Sequence, residues 1–231
     1  MKGKVDFDEH SEAYENELAE SIKFIGGGAR HFAVRKVHVL EHIVDQAPEK
    51  ILDFGCGIGL LTRELAKRFH NARITGVDVS ADSLRIARQS FSEERVSFTQ
   101  TTPSGLPEAL PQFDLIVAAC VFHHIAPAMR DTVIRSLIER LVPGGRLVIF
   151  EHNPNNPLTR KAVRDCIFDQ DAILLSPREC EKLLVSGGLS RVKKTNYLFL
   201  PPFLYSFRAV ERVLAHVPIG GQYAVTGLRS G

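Results

Sequence analysis

The run Asp53-Phe54-Gly55-Cys56-Gly57-Ile58-Gly59 follows an apolar stretch (ILDF) and leads into one with helical spacing (LLTRELAKRF). Glycines in such a turn let the chain bend sharply and bring its backbone against a ligand with no Cβ in the way. Asp78 lies near the end of the next apolar run, RITGVDV, where a carboxylate can accept hydrogen bonds from both hydroxyls of a ribose. Together the glycine turn and the acid predict an adenosine-containing cofactor. The dinucleotide fingerprint, G-x-G-x-x-G, would need its third glycine where Leu60 stands. Here that glycine, Gly59, comes one residue early, and Asp53 lies two residues before Gly55.

A second set of reactive side chains lies farther along. His123-His124 follow the long apolar run FDLIVAACVF, and Glu151-His152 close the run RLVIFE. If both runs are strands of one parallel sheet, both pairs fall on the edge that carries the glycine turn. Imidazole titrates near neutrality, so His124 or His152 could take a proton from an acceptor, with Glu151 beside them. The competing reading has these histidines capping a helix or filling a turn. Nothing fixes a ligand spacing among His123, His124, Glu151 and His152, so no metal is expected. The loop from Glu151 to Pro157 (EHNPNNP) reads either as a recognition loop for a polar acceptor or as an ordinary Asx-turn loop. His123, Asn153 and Tyr197 are the candidate acceptor contacts. Cys120 reads as a buried strand-end thiol.

These residues need a scaffold, and the pattern supplies one. Tyr14, Leu18 and Ile22 recur at helical spacing over residues 6–24, Gly26-Gly27-Gly28 breaks that helix, and a second is predicted over 29–44. From Lys50 onward, β-rich runs (ILDF, RITGVDV, RVSFTQT, FDLIVAACVF, RLVIFE) alternate with helical runs, and Pro143-Gly144-Gly145 is expected to turn the chain. That alternation predicts a doubly wound, mostly parallel α/β sheet with all strand C-termini on one edge. Beyond Glu151 comes an insert rich in Asn and Pro, then a helix over 177–186 closing at Gly187-Gly188. A strand near 192–200, an amphipathic stretch over 203–217 and a last strand near 222–228 follow. One domain is expected: a helical cap (1–48), a cofactor-binding half (49–151) and a substrate-side half (152–231).

The D-x-G-x-G-x-G turn at Asp53 to Gly59 resembles motif I of the class I S-adenosylmethionine-dependent methyltransferases, and the likeness extends over about the whole chain. That cofactor has no pyrophosphate but carries a sulfonium and an ammonium, which tolerate a nearby acid. The resemblance implies a Rossmann-like, seven-stranded sheet whose last strand runs antiparallel, with S-adenosylmethionine as donor and S-adenosylhomocysteine as product. Carried over by position, Gly55, Cys56 and Gly57 line the methionine part, with Asp53 and Gly59 completing the turn. Asp78 holds the ribose, Val79 packs on the adenine, and the carbonyls of Ala119 and Cys120 face the ammonium. Tyr14, in FDEHSEAY, either contacts the cofactor from the N-terminal cap or anchors its own helix. Many relatives hold the adenine amino group with an acid after the third strand. Here Thr101-Thr102 occupy that place, so a hydroxyl must substitute.

The same edge argues against several substrate classes. Cys120-Val121-Phe122-His123 lacks the Asn/Asp-Pro-Pro-aromatic tetrad of amide and adenine-nitrogen enzymes, the Pro-Cys nucleophile of cytosine-C5 enzymes, and the acids of catechol-type magnesium sites. A net charge of +2, from 29 Lys and Arg against 27 Asp and Glu, leaves no footprint for a nucleic-acid partner. The expected reaction is methyl transfer to an oxygen or carbon of a small metabolite, with a lipid-linked acceptor as one option. The rivals are a non-catalytic cofactor-binding module of the same fold and a nicotinamide-dependent oxidoreductase, which lacks a Tyr-x-x-x-Lys pair here. Residues 197–217 read as a helix packed on the sheet or, alternatively, as a peripheral membrane contact. The four cysteines form no paired pattern, the first residues do not read as a secretory leader, and no run approaches the ~20 apolar residues of a membrane span. A cytoplasmic protein is expected; oligomeric state is not legible.

Overall fold

The computed structural model describes residues 28–103, 105–199, 214 and 216–231. Tyr14 and most of the 203–217 stretch lie outside the described residues. Strand β4 (Phe113–Ala119) shows why the central runs are apolar without alternation. Ile116 and Ala118 pack into one core layer, while Leu115 and Val117 pack into the other. A parallel strand covered on both faces has no solvent side for polar residues. The neighbouring strand β1 (Lys50–Phe54) divides the same way, Leu52 and Phe54 to one layer and Ile51 to the other. Each such fully buried Leu or Ile stabilises the fold by roughly 1.5–3 kcal/mol.

The other strands are β2 (Arg73–Asp78), β3 (Val96–Gln100), β5 (Leu141–His152), β6 (Leu189–Tyr197) and β7 (Gln222–Arg229). They form one seven-stranded sheet in the order β3-β2-β1-β4-β5-β7-β6. Strands β1 to β5 run parallel, and β7 is antiparallel to both β5 and β6. This is the mostly parallel sheet the alternation predicts, with the antiparallel last strand the resemblance implies. The order reverses between β1 and β4, so a crevice opens at their C-terminal ends. Helices α1 (Gly28–Ile43) and α2 (Leu60–Arg68) cover one face through Val37, Leu40, Leu61 and Leu65. Helices α4 (Pro127–Glu139) and α6 (Pro177–Ser186) cover the other through Val133, Ile134, Leu137 and Leu184. Helix α3 (Ala81–Gln89) follows β2 and is capped by Ser80, whose hydroxyl accepts from the Ser83 amide.

Two local expectations differ from the structure. Pro143-Gly144-Gly145 does not separate helix from strand: β5 already begins at Leu141, and the turn is a bulge inside it. Phe113 pairs with Leu141 and Leu115 with Arg146, so the extra residues loop out between two paired positions. Strand β6 starts at Leu189, directly after Gly188 at φ 93°, rather than near Val192. The Asn- and Pro-rich insert contains a helix, α5 (Pro157–Asp165), and a 3₁₀ turn (Ile167–Asp169). Asn156 caps α5 by accepting from the Leu158 and Thr159 amides, with Pro157 at its first turn. Among the described residues no helix is long and apolar enough to cross a membrane.

Candidate active site

The crevice at the β1–β4 switch point is a single cavity of about 1100 Å³, running from the glycine turn to the histidines. At one end the chain leaves β1 through Gly55 at φ 73°, where an added Cβ would stand 2.3 Å from Val121. The Gly57 amide donates to Asp78 Oδ2 at 2.8 Å, and the Ser80 amide donates to Asp78 Oδ1 at 3.0 Å. The acid at the end of β2 thereby ties the glycine turn to the start of α3. Asp53 is fully buried and accepts the Thr62 hydroxyl at 2.6 Å. Burial, with the nearby Asp78 charge, outweighs that bond and pushes its pKa up to about 6. Thr101 lines the cavity and donates its hydroxyl to the Gly105 carbonyl at 2.7 Å, leaving its oxygen able to accept. Lys36 of α1, buried beside Asp53 and Cys120, also faces the cavity.

At the other end, β4 and β5 deliver the histidines. Cys120 sits at φ 58°, a backbone conformation unusual for a residue with a side chain, and turns the chain out of β4. His123 then falls inside the protein, 1% exposed, with Nδ1 2.6 Å from Glu151 Oε2. Glu151 accepts the Phe122 amide through its other oxygen. The insert brings two acids that the sequence reading did not single out, Asp169 and Asp171. His124 Nδ1 lies 3.1 Å from Asp171 Oδ1. Asp169 is ringed by imidazole nitrogens: His123 Nε2 at 3.3 Å, His124 Nε2 at 3.5 Å and His152 Nε2 at 3.9 Å. Burial opposes charge throughout this cluster, yet opposite charges outweigh it. The pKa of His123 lies well above the ordinary value, while those of Glu151 and Asp169 lie below theirs. Burial would likewise raise the Cys120 thiol, but Lys36 and His152 bring it down, and His152 moves up in return.

Arg130 of α4 holds this arrangement together. It is buried and donates to the carbonyls of Phe122, Ile125 and Ile173, joining the turn after β4 to the insert. The Ile173 amide returns a bond to the His123 carbonyl, and the Tyr223 hydroxyl donates to Leu175.

Several predicted site residues line the cavity: Asp53, Gly55, Cys56, Gly57, Asp78, Val79, Thr101, Thr102, Ala119, Cys120, His123, His124 and His152. Four others do not. Glu151 is fully buried behind His123 and positions that ring instead of meeting an acceptor. Asn153 is fully buried and spends its amide on the carbonyls of Pro218 and Gly220, so this asparagine fastens a loop. Tyr197 packs in the core against Phe150, and its hydroxyl donates to Gln222. Gly59, at φ 84°, caps α2 and faces Phe91 rather than the cavity. Asp169, Asp171, Lys36 and Gln222 line it without having been predicted. The one signal for the two acids was their place in the insert (FDQD), since no spacing links them to the histidines.

Residues 51–145 match the methyltransferase domain family. The matched segment, from β1 into β5, holds the glycine turn and Asp78 and is similar to methyltransferase domains. It is 32% identical over 123 residues to a ubiquinone biosynthesis O-methyltransferase of Pseudomonas fluorescens, a match spanning 52% of this chain and 51% of that protein. The chain thus spans about half the length of this curated relative. Its fold is shared with a Thermotoga maritima S-adenosylmethionine-dependent methyltransferase described as a possible histamine N-methyltransferase. That likeness has a TM-score of 0.69 at 18% identity, covering 97% of this chain and 98% of that one. The fold is also shared with human N-acetylserotonin methyltransferase in complex with its methyl donor, at TM-score 0.67 and 18% identity, covering 98% and 61% of the two chains.

Proposed function

We propose that this chain transfers the methyl group of S-adenosylmethionine to an oxygen of a small-molecule acceptor. The observation that carries the proposal is the continuity of the cavity: the glycine turn and Asp78 open into the same space as His124. The relatives named O-methyltransferase support oxygen over carbon. On the donor side, Asp78 accepts from the ribose hydroxyls, Val79 covers the adenine, and the Thr101 oxygen accepts from its amino group. Asp53 and Lys36 supply one charge of each sign for the zwitterionic methionine end.

On the acceptor side, Met129, Leu158 and Ile173 line the cavity and are also exposed, which makes an apolar rim. That rim suits an acceptor with an apolar ring or tail, a lipid-linked one included. Methyl transfer is an in-line displacement, so most of the rate comes from positioning. His124 acts as the base. In the tautomer that gives its Nδ1–H to Asp171, Nε2 carries the lone pair beside Asp169, 3.5 Å away, whose charge favours the imidazolium that forms. That nitrogen takes the acceptor's hydroxyl proton as the oxygen pair forms a bond to the methyl carbon. The carbon–sulfur pair returns to sulfur, and the neutral thioether of S-adenosylhomocysteine leaves. The positive charge lost by the sulfonium ends on His124, beside Asp171.

Calorimetric titration with S-adenosylmethionine tests the reading, with NADH beside it and Asp78→Ala as control. Donor binding weakened at least about tenfold by the substitution, with no NADH binding, is the expected result. Absence of donor binding would overturn the methyltransferase reading for this chain.

A further inference from the structure

We infer that His123, His152 and Asp169 form a binding site for a divalent first-row transition metal at the acceptor end of the cavity. One ligand atom from each of the three lies within 4.8 Å of the other two. The donor set, two imidazoles and a carboxylate, is of borderline softness and suits Zn²⁺, Fe²⁺ or Co²⁺ better than Mg²⁺ or Ca²⁺.

Two further observations point the same way. The first is the state of His123. Its Nδ1 is engaged by Glu151 at 2.6 Å, while Nε2 is buried and makes no hydrogen bond, although it faces Asp169. Metal-bound histidines have this arrangement, one nitrogen oriented by a carboxylate and the other left to the ion. The second is the spacing. A charge-assisted N–H···O bond closes to about 2.7–2.9 Å. Ligands on a tetrahedral ion with bonds of about 2.0–2.1 Å stand roughly 3.3 Å apart. The pairs His123 Nε2–Asp169 Oδ1 at 3.3 Å and His152 Nε2–Asp169 Oδ2 at 3.9 Å fall on the ion's side of that comparison.

The three ligands come from the turn after β4, the end of β5 and the insert, so each arrives on a separate element. All three line the cavity, which leaves the remaining coordination positions facing an acceptor. A divalent ion there retains net positive charge after one carboxylate and two neutral imidazoles, and it draws in an acceptor oxygen. That role rests on the methyltransferase reading; the binding site itself does not.

The test is metal uptake by the intact chain. Protein stripped with a chelator is dialysed against Zn²⁺ and against Co²⁺, and bound metal is counted by elemental analysis. About one ion per chain is expected, with visible d–d absorption from Co²⁺. His152→Ala and Asp169→Asn should each weaken uptake by well over tenfold, and Glu151→Gln by roughly tenfold, since it orients a ligand. His70→Ala, at an exposed histidine outside the cavity, should leave uptake unchanged. An anomalous-scattering peak among the three residues in Co²⁺-loaded crystals keeps the proposal testable if a variant fails to fold. No uptake, or uptake that survives both ligand substitutions, or a thiolate charge-transfer band that depends on Cys120, overturns the site. Donor titration of the stripped protein separates the two readings. Donor binding without metal uptake sinks the metal site alone, and metal uptake without donor binding sinks the methyltransferase reading alone.

Discussion

On the donor side of the cavity, short stretches of chain are tied together by two backbone amides and a hydroxyl given to two carboxylates. The Thr62 hydroxyl reaches Asp53 over 9 residues, Gly57 reaches Asp78 over 21, and Ser80 reaches Asp78 over 2. On the acceptor side each tie starts from an ionisable side chain and spans more of the sequence. His123 meets Glu151 over 28 residues, Arg130 meets Ile173 over 43, and His124 meets Asp171 over 47. A turn built from local backbone bonds forms with the strands that flank it. An array built from distant side chains exists only once β4, β5 and the insert are all in place. The donor site should therefore survive damage that dismantles the acceptor site, and the two should fail separately.

The largest separation is expected at the base. His124→Ala should lower kcat by roughly 10²–10⁴-fold, the usual worth of a positioned proton acceptor, while donor affinity stays within a few fold. Steady-state kinetics beside calorimetry reads both. Equal loss of donor binding would mean that the two ends of the cavity are one unit.

Arg130→Met comes next. It removes the guanidinium donors from the carbonyls of Phe122, Ile125 and Ile173, which costs about 2–4 kcal/mol of stability. Chemical denaturation measures the loss. Donor binding at temperatures where the variant is folded should fall less than acceptor binding does. A variant that keeps its acceptor KM would show that the insert holds its place without this residue.

The same contrast explains what was legible in the sequence. Asp53 to Gly59 and Asp78 announce themselves because chemistry and spacing lie within one strand-turn-helix unit, and the unbroken run of β4 reports burial on both faces. His123, His124, Glu151 and His152 were visible as reactive types at one sheet edge, but their roles were not. Glu151 turned out to stand behind His123 because strand alternation points it into the core layer instead of the crevice. Asp169 and Asp171 carry no periodic or spacing signal, and their partners lie on other elements. Asn153 was misread for a related reason. Its hydrogen-bonding capacity is spent on Pro218 and Gly220, a loop that nothing in the local sequence connects to it. The buried Lys36 went unremarked because one basic residue on an amphipathic helix ordinarily faces water.

A smaller effect is expected from pH on the donor side. Asp53 titrates at about 6 in the folded protein, against an ordinary value of 3.8. Between those values the folded state keeps a proton that the unfolded chain has lost. The stability this group contributes is therefore present in full below the lower value and is lost as pH rises through about 6, a loss of about 3 kcal/mol. A bound cationic donor favours the carboxylate, so binding below pH 6 releases a proton, and donor affinity climbs with pH by at most about tenfold per unit until it flattens. Calorimetry in buffers of different ionisation enthalpy counts that proton. Asp53→Asn should flatten the profile, and an unchanged profile would assign the proton to another group.

The finest test concerns the adenine contact, where this chain lacks the acid many relatives use. The Thr101 hydroxyl already gives its proton to Gly105, so its oxygen can only accept from a ligand. Thr101→Val keeps the shape and removes both functions. Losing one neutral hydrogen bond to the adenine amino group should weaken donor binding by about 1 kcal/mol, or roughly fivefold. The substitution also leaves the Gly105 carbonyl with only the longer bond from the Thr102 hydroxyl, and that change alone could loosen the loop and mimic the loss. A donor analogue with hypoxanthine in place of adenine separates the two, because it has no amino group to offer. If the Thr101 oxygen accepts from that group, Thr101→Val weakens adenine donor binding but leaves the analogue's affinity nearly unchanged. An equal effect on both ligands would mean that the hydroxyl acts only through its bond to Gly105. The adenine amino group would then have to find its acceptor elsewhere at the end of β3.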